Sequence, residues 1–222
     1  AVWGKDYITE FPNQEDILRY VLCAIAPENK DSDFSWKDFQ SRNNNELCSI
    51  FGNFINRALV LTQKYYAGVV PALGELKEID QEVLLNLEEI HLQIEKDIRA
   101  FKFRDGLSNA MKLARVGNKY LAETEPWKLV KTNPERVKTI MNISLQISAN
   151  LVIVFEPFMP KKSLELANLL NIEIPKWSYC GNQNLILEGH QINKPNILFE
   201  KIEDEIIEYQ INKLKFSNKN QT

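Results

Sequence analysis

An antiparallel bundle of about five main helices, all-α, is the fold this sequence predicts, and three observations carry it. Apolar residues recur at three- and four-residue steps through most of the 222 residues, the period of a helix with one buried face. The joins between these stretches are short, and strand and helix patterns do not alternate as a parallel sheet requires. Hydrophobic residues make up 44 % of the chain, with only 8 glycines and 9 prolines. Size scaling then allows about 70 % of the unfolded surface to be buried, one sizeable core with an appendage.

Asn13 is expected to cap a first helix ending near Ala26, with Asp16 in its first turn and Pro27 beyond its end. Residues 27–35 are polar and read as a loop. Ser35, with Asp38 three residues on, forms an approximate capping box. A long helix should run from there to about Ala67, with Trp36, Phe39, Leu47, Phe51, Phe54 and Leu61 on a broad apolar face. Poor helix formers from Arg42 to Glu46 interrupt it, and Gly52 costs about 1 kcal/mol relative to alanine. Such a helix persists only where packing or function compensates.

The third helix spans roughly 80–102 on Val83, Leu87, Ile90, Ile94 and Ile98, and its surroundings are acidic. The fourth, about 104–123, carries Ala110, Ala114 and Gly117, small residues that suit close approach to a neighbour. Pro126 favours a helix start and holds Trp127 in its first turn. Pro134 opens a fifth helix to Glu156, apolar around nearly its whole circumference and therefore central. A short helix follows at about 161–170; residues 171–199 read as irregular, with room for a hairpin, before a last helix over roughly 200–213. By domain, 1–12 reads as a linker, 13–170 as the bundle, and 171–222 as an irregular segment and helix packed back on the rest. The opening Ala1-Val-Trp3-Gly4 reads as the interior of a longer polypeptide.

Charge and composition narrow the function. A net charge of −3 argues against a non-specific nucleic-acid binder, DNA included, and leaves room for a local site that reads base edges. No apolar run approaches the ~20 residues of a membrane helix, and no secretory signal is evident, so a cytoplasmic protein is expected. Cys23, Cys48 and Cys180 are widely spaced and form no metal motif. His91 and His190 are the only histidines, and no phosphate loop, zinc-protease or nucleophile-elbow motif occurs. No catalytic, cofactor or metal residue is assigned.

Two features fit base recognition. Asn53 and Arg57, four residues apart, share one helical face and between them supply an acceptor and a fork of donors. Trp127 beside Pro126 offers a ring on which a base can stack. Their structural alternatives are solvent contacts for the first pair and a core-packed ring for the second.

Four stretches carry a family pattern: Asp16-Ile-Leu-Arg-Tyr20; Asp33 to Phe39, continuing to Gly52-Asn-Phe-Ile-Asn-Arg57; Asn118 to Glu125-Pro126-Trp127; and Gly189-His-Gln-Ile192. In that order they resemble the C-terminal helical, anticodon-binding part of methionyl-tRNA synthetases over nearly the whole chain. The resemblance implies a class I enzyme that attaches methionine to its tRNA using ATP, with the tRNA(Met) anticodon loop and the enzyme's own catalytic half as partners. It implies that Asn53 and Arg57 contact the CAU anticodon, that Trp127 stacks on its cytosine, and that Pro126 shapes the pocket. The ATP and magnesium site, and an insertion that can hold zinc, belong to the catalytic half, whose motifs do not occur here, so this chain alone is expected to be inactive. The Asn43–Asn45 run departs from the family, where an aliphatic residue is expected. The rival readings are a helical protein-interaction domain, the bundle of another class I synthetase, and a hydrolase built on His190.

Overall fold

The computed structural model describes residues 4–28 and 31–219; Trp3 lies outside them. The architecture is all-α, but the expected count of about five helices is corrected: the described residues form ten α-helical segments, one π-helical stretch and one 3-10 turn (Trp177–Tyr179). They are α1 (Gly4–Glu10), α2 (Glu15–Ala24), α3 (Trp36–Arg42), α4 (Asn53–Tyr66), α5 (Glu78–Arg99), α6 (Phe103–Thr124), α7 (Pro126–Leu129), α8 (Pro134–Phe155), α9 (Pro160–Leu170) and α10 (Asp204–Lys219).

The segment expected as a linker is, from Gly4 on, helix α1. Its Tyr7, with Phe11 just beyond, packs on Trp36 and Phe39, the Tyr7–Phe11 rings stacked at 4.8 Å. Asn13 does not cap α2. It takes a left-handed φ of 63° and turns the chain between the two helices, with Gln14 at the cap position. Ser35 does cap α3, its Oγ accepting the Asp38 N–H at 3.1 Å.

The long helix expected from Ser35 to Ala67 is one rod with a widened middle, because Asn43–Gly52 is π-helical between α3 and α4. Its asparagines have other work. Asn43 Nδ2 donates to the Glu200 carbonyl at 2.9 Å, and Asn44 both donates to the Ile202 carbonyl and accepts the Ile202 N–H. Side-chain bonds to another segment compensate for poor helix propensity. At Gly52 a Cβ would lie 3.1 Å from the Leu47 carbonyl and 3.3 Å from the Phe199 ring, so glycine gives both neighbours room where the rod returns to α geometry.

Helices α5 and α6 form a long antiparallel hairpin, and α8 is buried along its length except Pro134, Glu135 and the half-buried Lys138. Contrary to the sequence expectation, α8 is long and apolar enough to cross a membrane, but 94 % of that window is buried inside the bundle. It is also less uniformly apolar than its pattern suggests. Asn142, Gln146 and Asn150 make a buried polar row at four-residue spacing. Asn142 Nδ2 donates to the Pro71 carbonyl at 2.8 Å. Gln146 accepts the Leu185 and Ile186 N–H groups and donates to the Ile186 carbonyl. Asn150 accepts the Gly181 N–H and donates to the Asn182 carbonyl. This row holds residues 180–186 on the core although they form no regular element. In place of a hairpin, the irregular segment has one isolated antiparallel bridge, Val69 to Gln191. Replacing Gln146 by leucine strands two buried N–H groups and should cost about 2 kcal/mol. Hydrogen exchange at Leu185 and Ile186 should accelerate well before exchange in α8 does; equal protection in both would show that the row is not what orders the segment.

Candidate nucleic-acid interface

Helix α6 ends at Thr124, and Glu125, with a left-handed φ of 43°, reverses the chain. Pro126 then starts the one-turn α7 with its fixed φ and absent N–H, both suited to a first helical position. Pro126 is buried and anchors the turn; Trp127 is left 38 % exposed. The ring is therefore not sealed in the core. The Glu125 carboxylate pairs with Lys128 at 2.7 Å across the same turn.

Across from it, α4 carries Asn53 and Arg57 on one face, Asn53 exposed and Arg57 half-buried. The Arg57 guanidinium lies over the Trp127 ring, 4.8 Å from its centroid, within the range of a cation–π contact. Partial burial lowers the Arg57 pKa, yet a guanidinium stays charged at neutral pH. Among the described residues no hydrogen bond or ion pair engages the Arg57 fork. Asn53 Nδ2 donates to Asn118 Oδ1 at 2.8 Å, and Asn118 Nδ2 donates to the Ile50 carbonyl at 2.7 Å. The amide of Asn53 is thus oriented by α6 and by the π-helical stretch, and its oxygen accepts no hydrogen bond among the described residues.

The structure brings Arg57 against Trp127, with Asn53 one turn along α4 from Arg57 and the buried Pro126 next to Trp127 in α7. Asn118 was not singled out as a site residue in the sequence. Its signal was its place directly after Gly117, where a Cβ would lie 2.5 Å from the Phe54 ring. That glycine lets α6 approach α4 closely enough for the Asn53–Asn118 bond to form.

Elsewhere the catalytic inventory stays thin. His190 shares a 2.8 Å hydrogen bond with the Leu170 carbonyl at the end of α9; no acid or nucleophile pairs with it among the described residues, so the hydrolase reading loses its motivation. Burial pushes the Cys180 thiol up to about 12 and that of Cys23 to about 11, so neither is a thiolate at neutral pH. Among the described residues no group of three or more His, Cys, Asp or Glu is placed to hold a metal.

Residues 70–220 match the family model described as the anticodon binding domain of methionyl tRNA ligase, and residues 1–59 match that of class I tRNA synthetases (M). The methionine–tRNA ligase of Bacteroides fragilis is 58 % identical over 214 residues, 96 % of this chain and 32 % of that protein. That of Phocaeicola vulgatus is 56 % identical over 219 residues, 99 % of this chain and again 32 % of the relative. The chain thus spans about a third of the length of these curated relatives. The crystal structure of the free Mycobacterium tuberculosis methionyl-tRNA synthetase superposes with a TM-score of 0.77 at 21 % identity, over 85 % of this chain and 39 % of that one.

Proposed function

The chain belongs to the methionyl-tRNA ligase family through its anticodon-binding domain, and on that footing we propose that it reads the CAU anticodon of tRNA(Met) for a cytoplasmic enzyme that attaches methionine using ATP. The observation that carries this reading is the Arg57 guanidinium set over the half-open Trp127 ring, one turn along α4 from an oriented Asn53. An unstacked cytosine presents an amino donor and two acceptors on its pairing edge. Asn53 supplies an acceptor for the first and Arg57 donors for the others, while the indole supplies a stacking face. Pro126 fixes the indole's place. The reacting groups, with ATP, magnesium and any zinc, fall to the catalytic half, and the bundle's other partner is that half.

Base stacking on an aromatic is worth about 1–3 kcal/mol. In the complete ligase, Trp127→Ala should therefore lower kcat/KM for tRNA charging by roughly 5- to 150-fold, with a much smaller effect on methionine activation. Equal losses in both reactions would sink the anticodon role. Arg57→Ala should leave the fold intact and blunt discrimination between hairpins with cognate and substituted anticodons by about 1–3 kcal/mol per base read. Unchanged discrimination would remove Arg57 from the site.

A further inference from the structure

An open cleft of about 800 Å³ lies between α2, the α3–π part of the rod, and the α5–α6 corner with α6. Its lining carries four cations, Arg42, Lys102, Arg104 and Arg115, and three carboxylates. Arg42 is consumed by Asp38 at 2.8 Å and Glu46 at 3.4 Å. Glu46 also accepts the Tyr20 hydroxyl, and Glu28 accepts the Arg104 backbone N–H at 3.0 Å. With Arg42 and Glu46 paired, the side chains of Lys102, Arg104 and Arg115 face the carboxylates of Asp105 and Glu28, since a hydrogen bond from a neutral N–H leaves Glu28 its charge. None of the three cations has an ion pair or side-chain hydrogen bond among the described residues. In a chain with a net charge of −3, this open cleft is formally positive, with four cations against three carboxylates, and Lys102, Arg104 and Arg115 are its unpaired cations among the described residues.

Their placement follows from the α5–α6 corner. Phe101 takes a left-handed φ of 58° and is 76 % exposed. This sharp reversal sets Lys102 and Arg104 on the cleft wall, and Arg115 lines it three turns further along α6. Asn118, which orients Asn53, follows Arg115 by three residues on the same helix. The cations therefore begin one helical turn from the base-reading site and extend away from it for about 20 Å along α6.

We propose that this cleft is a phosphate track: Lys102, Arg104 and Arg115 neutralise backbone phosphates of the same RNA whose bases Asn53, Arg57 and Trp127 read, on the helical side of its loop. The inference rests on the RNA-reading function above. It divides the labour of binding, since phosphate contacts fix position and carry no sequence information, while base contacts specify. The exposed rings at the corner, Phe101 and Phe103, could instead seat the ligase's catalytic half, and the test separates the two.

The complete ligase is titrated with tRNA(Met) transcripts, and with transcripts substituted in the anticodon, from low to moderate salt. The triple variant Lys102→Gln/Arg104→Gln/Arg115→Gln should bind both classes about tenfold or more weakly at low salt. The slope of log affinity against log salt should become shallower by about 2–3, roughly one per phosphate contact. The ratio between cognate and substituted transcripts should stay that of wild type. The Lys102→Gln/Arg104→Lys/Arg115→Lys variant should recover most of the slope, because a point charge suffices for a phosphate, and that rescue excludes misfolding as the cause. An unchanged slope with intact anticodon discrimination would overturn the phosphate track and leave the base-reading site standing. Wild-type ligase without anticodon discrimination would overturn the function beneath it. Unchanged tRNA binding with impaired tRNA-independent methionine activation would assign the cleft to the catalytic half and overturn the proposal.

Discussion

Asp80→Ala should destabilise the bundle by about 3–5 kcal/mol, the cost of leaving a buried charge without its partner. In a chain of this size that lowers the melting temperature by roughly 6–20 °C. Asp80 is fully buried, and its carboxylate accepts from Arg136 Nη2 at 2.7 Å, from the Tyr120 hydroxyl at 2.6 Å and from the Lys77 N–H at 2.8 Å. Arg136 is itself only 7 % exposed. Three long helices, α5, α6 and α8, meet at this one carboxylate, just under the corner that carries Trp127. A double replacement by apolar residues, Asp80→Leu/Arg136→Met, should regain much of the loss, since it removes both charges together. An Asp80→Ala melting point equal to wild type would show that Arg136 is solvated in the variant and that the clamp is not rigid.

The same carboxylate gives the fold an acid limit. Burial alone would raise the Asp80 pKa, but the hydrogen bonds from Arg136, Tyr120 and Lys77 outweigh it and hold it below the ordinary aspartate value. A group depressed in the folded state contributes stability that is fully present above its unfolded pKa, about 3.9, and is lost as pH falls through the folded value. The acid unfolding limb of wild type should therefore be steeper below about pH 4 than that of the double apolar variant.

Gly117→Val should cost about 3 kcal/mol and disable the base-reading site together with the fold around it. The added side chain would begin 2.5 Å from the Phe54 ring, and Phe54 is fully buried with nowhere to move. Helices α4 and α6 must separate, which breaks the Asn53–Asn118 bond. Binding of anticodon hairpins should fall further than Asn118→Ala alone lowers it. A stable Gly117→Val variant with wild-type binding would mean that close approach of the two helices does not set the geometry of Asn53.

The long elements were legible because burial of one face leaves a period that survives any detail of packing. Helices α5, α6, α8 and α9 lie within a few residues of their sequence-based bounds, and Ser35 caps α3 as expected. The helix count was not legible. Helix α1 has Tyr7 and Phe11 as its main signal, two rings one turn apart in a stretch that reads as a linker. The polar row on α8 was hidden by its apolar surroundings, since hydrophobic periodicity registers greasy residues and passes over an amide every fourth position. Asn53, Arg57 and Trp127 are expected as site residues from residue type, spacing and family likeness, and the structure sets Arg57 over the Trp127 ring. Asn118 was missed because its role depends on how near two helices come, which is fixed by the absence of a side chain at Gly117.

The π-helical stretch sets the angular phase of everything downstream in the rod. A π-helix closes its bonds over five residues where an α-helix uses four, and each residue of an α-helix turns it by about 100°. Deleting a single asparagine from the Asn43–Asn45 run would swing the front half of the rod against its back half by about that angle. The rod can then keep Trp36 and Phe39 in the aromatic cluster or keep Arg57 beneath the indole, but not both. Segments that look like sequence noise can be timing elements, and here the length of an asparagine run decides which way an arginine faces.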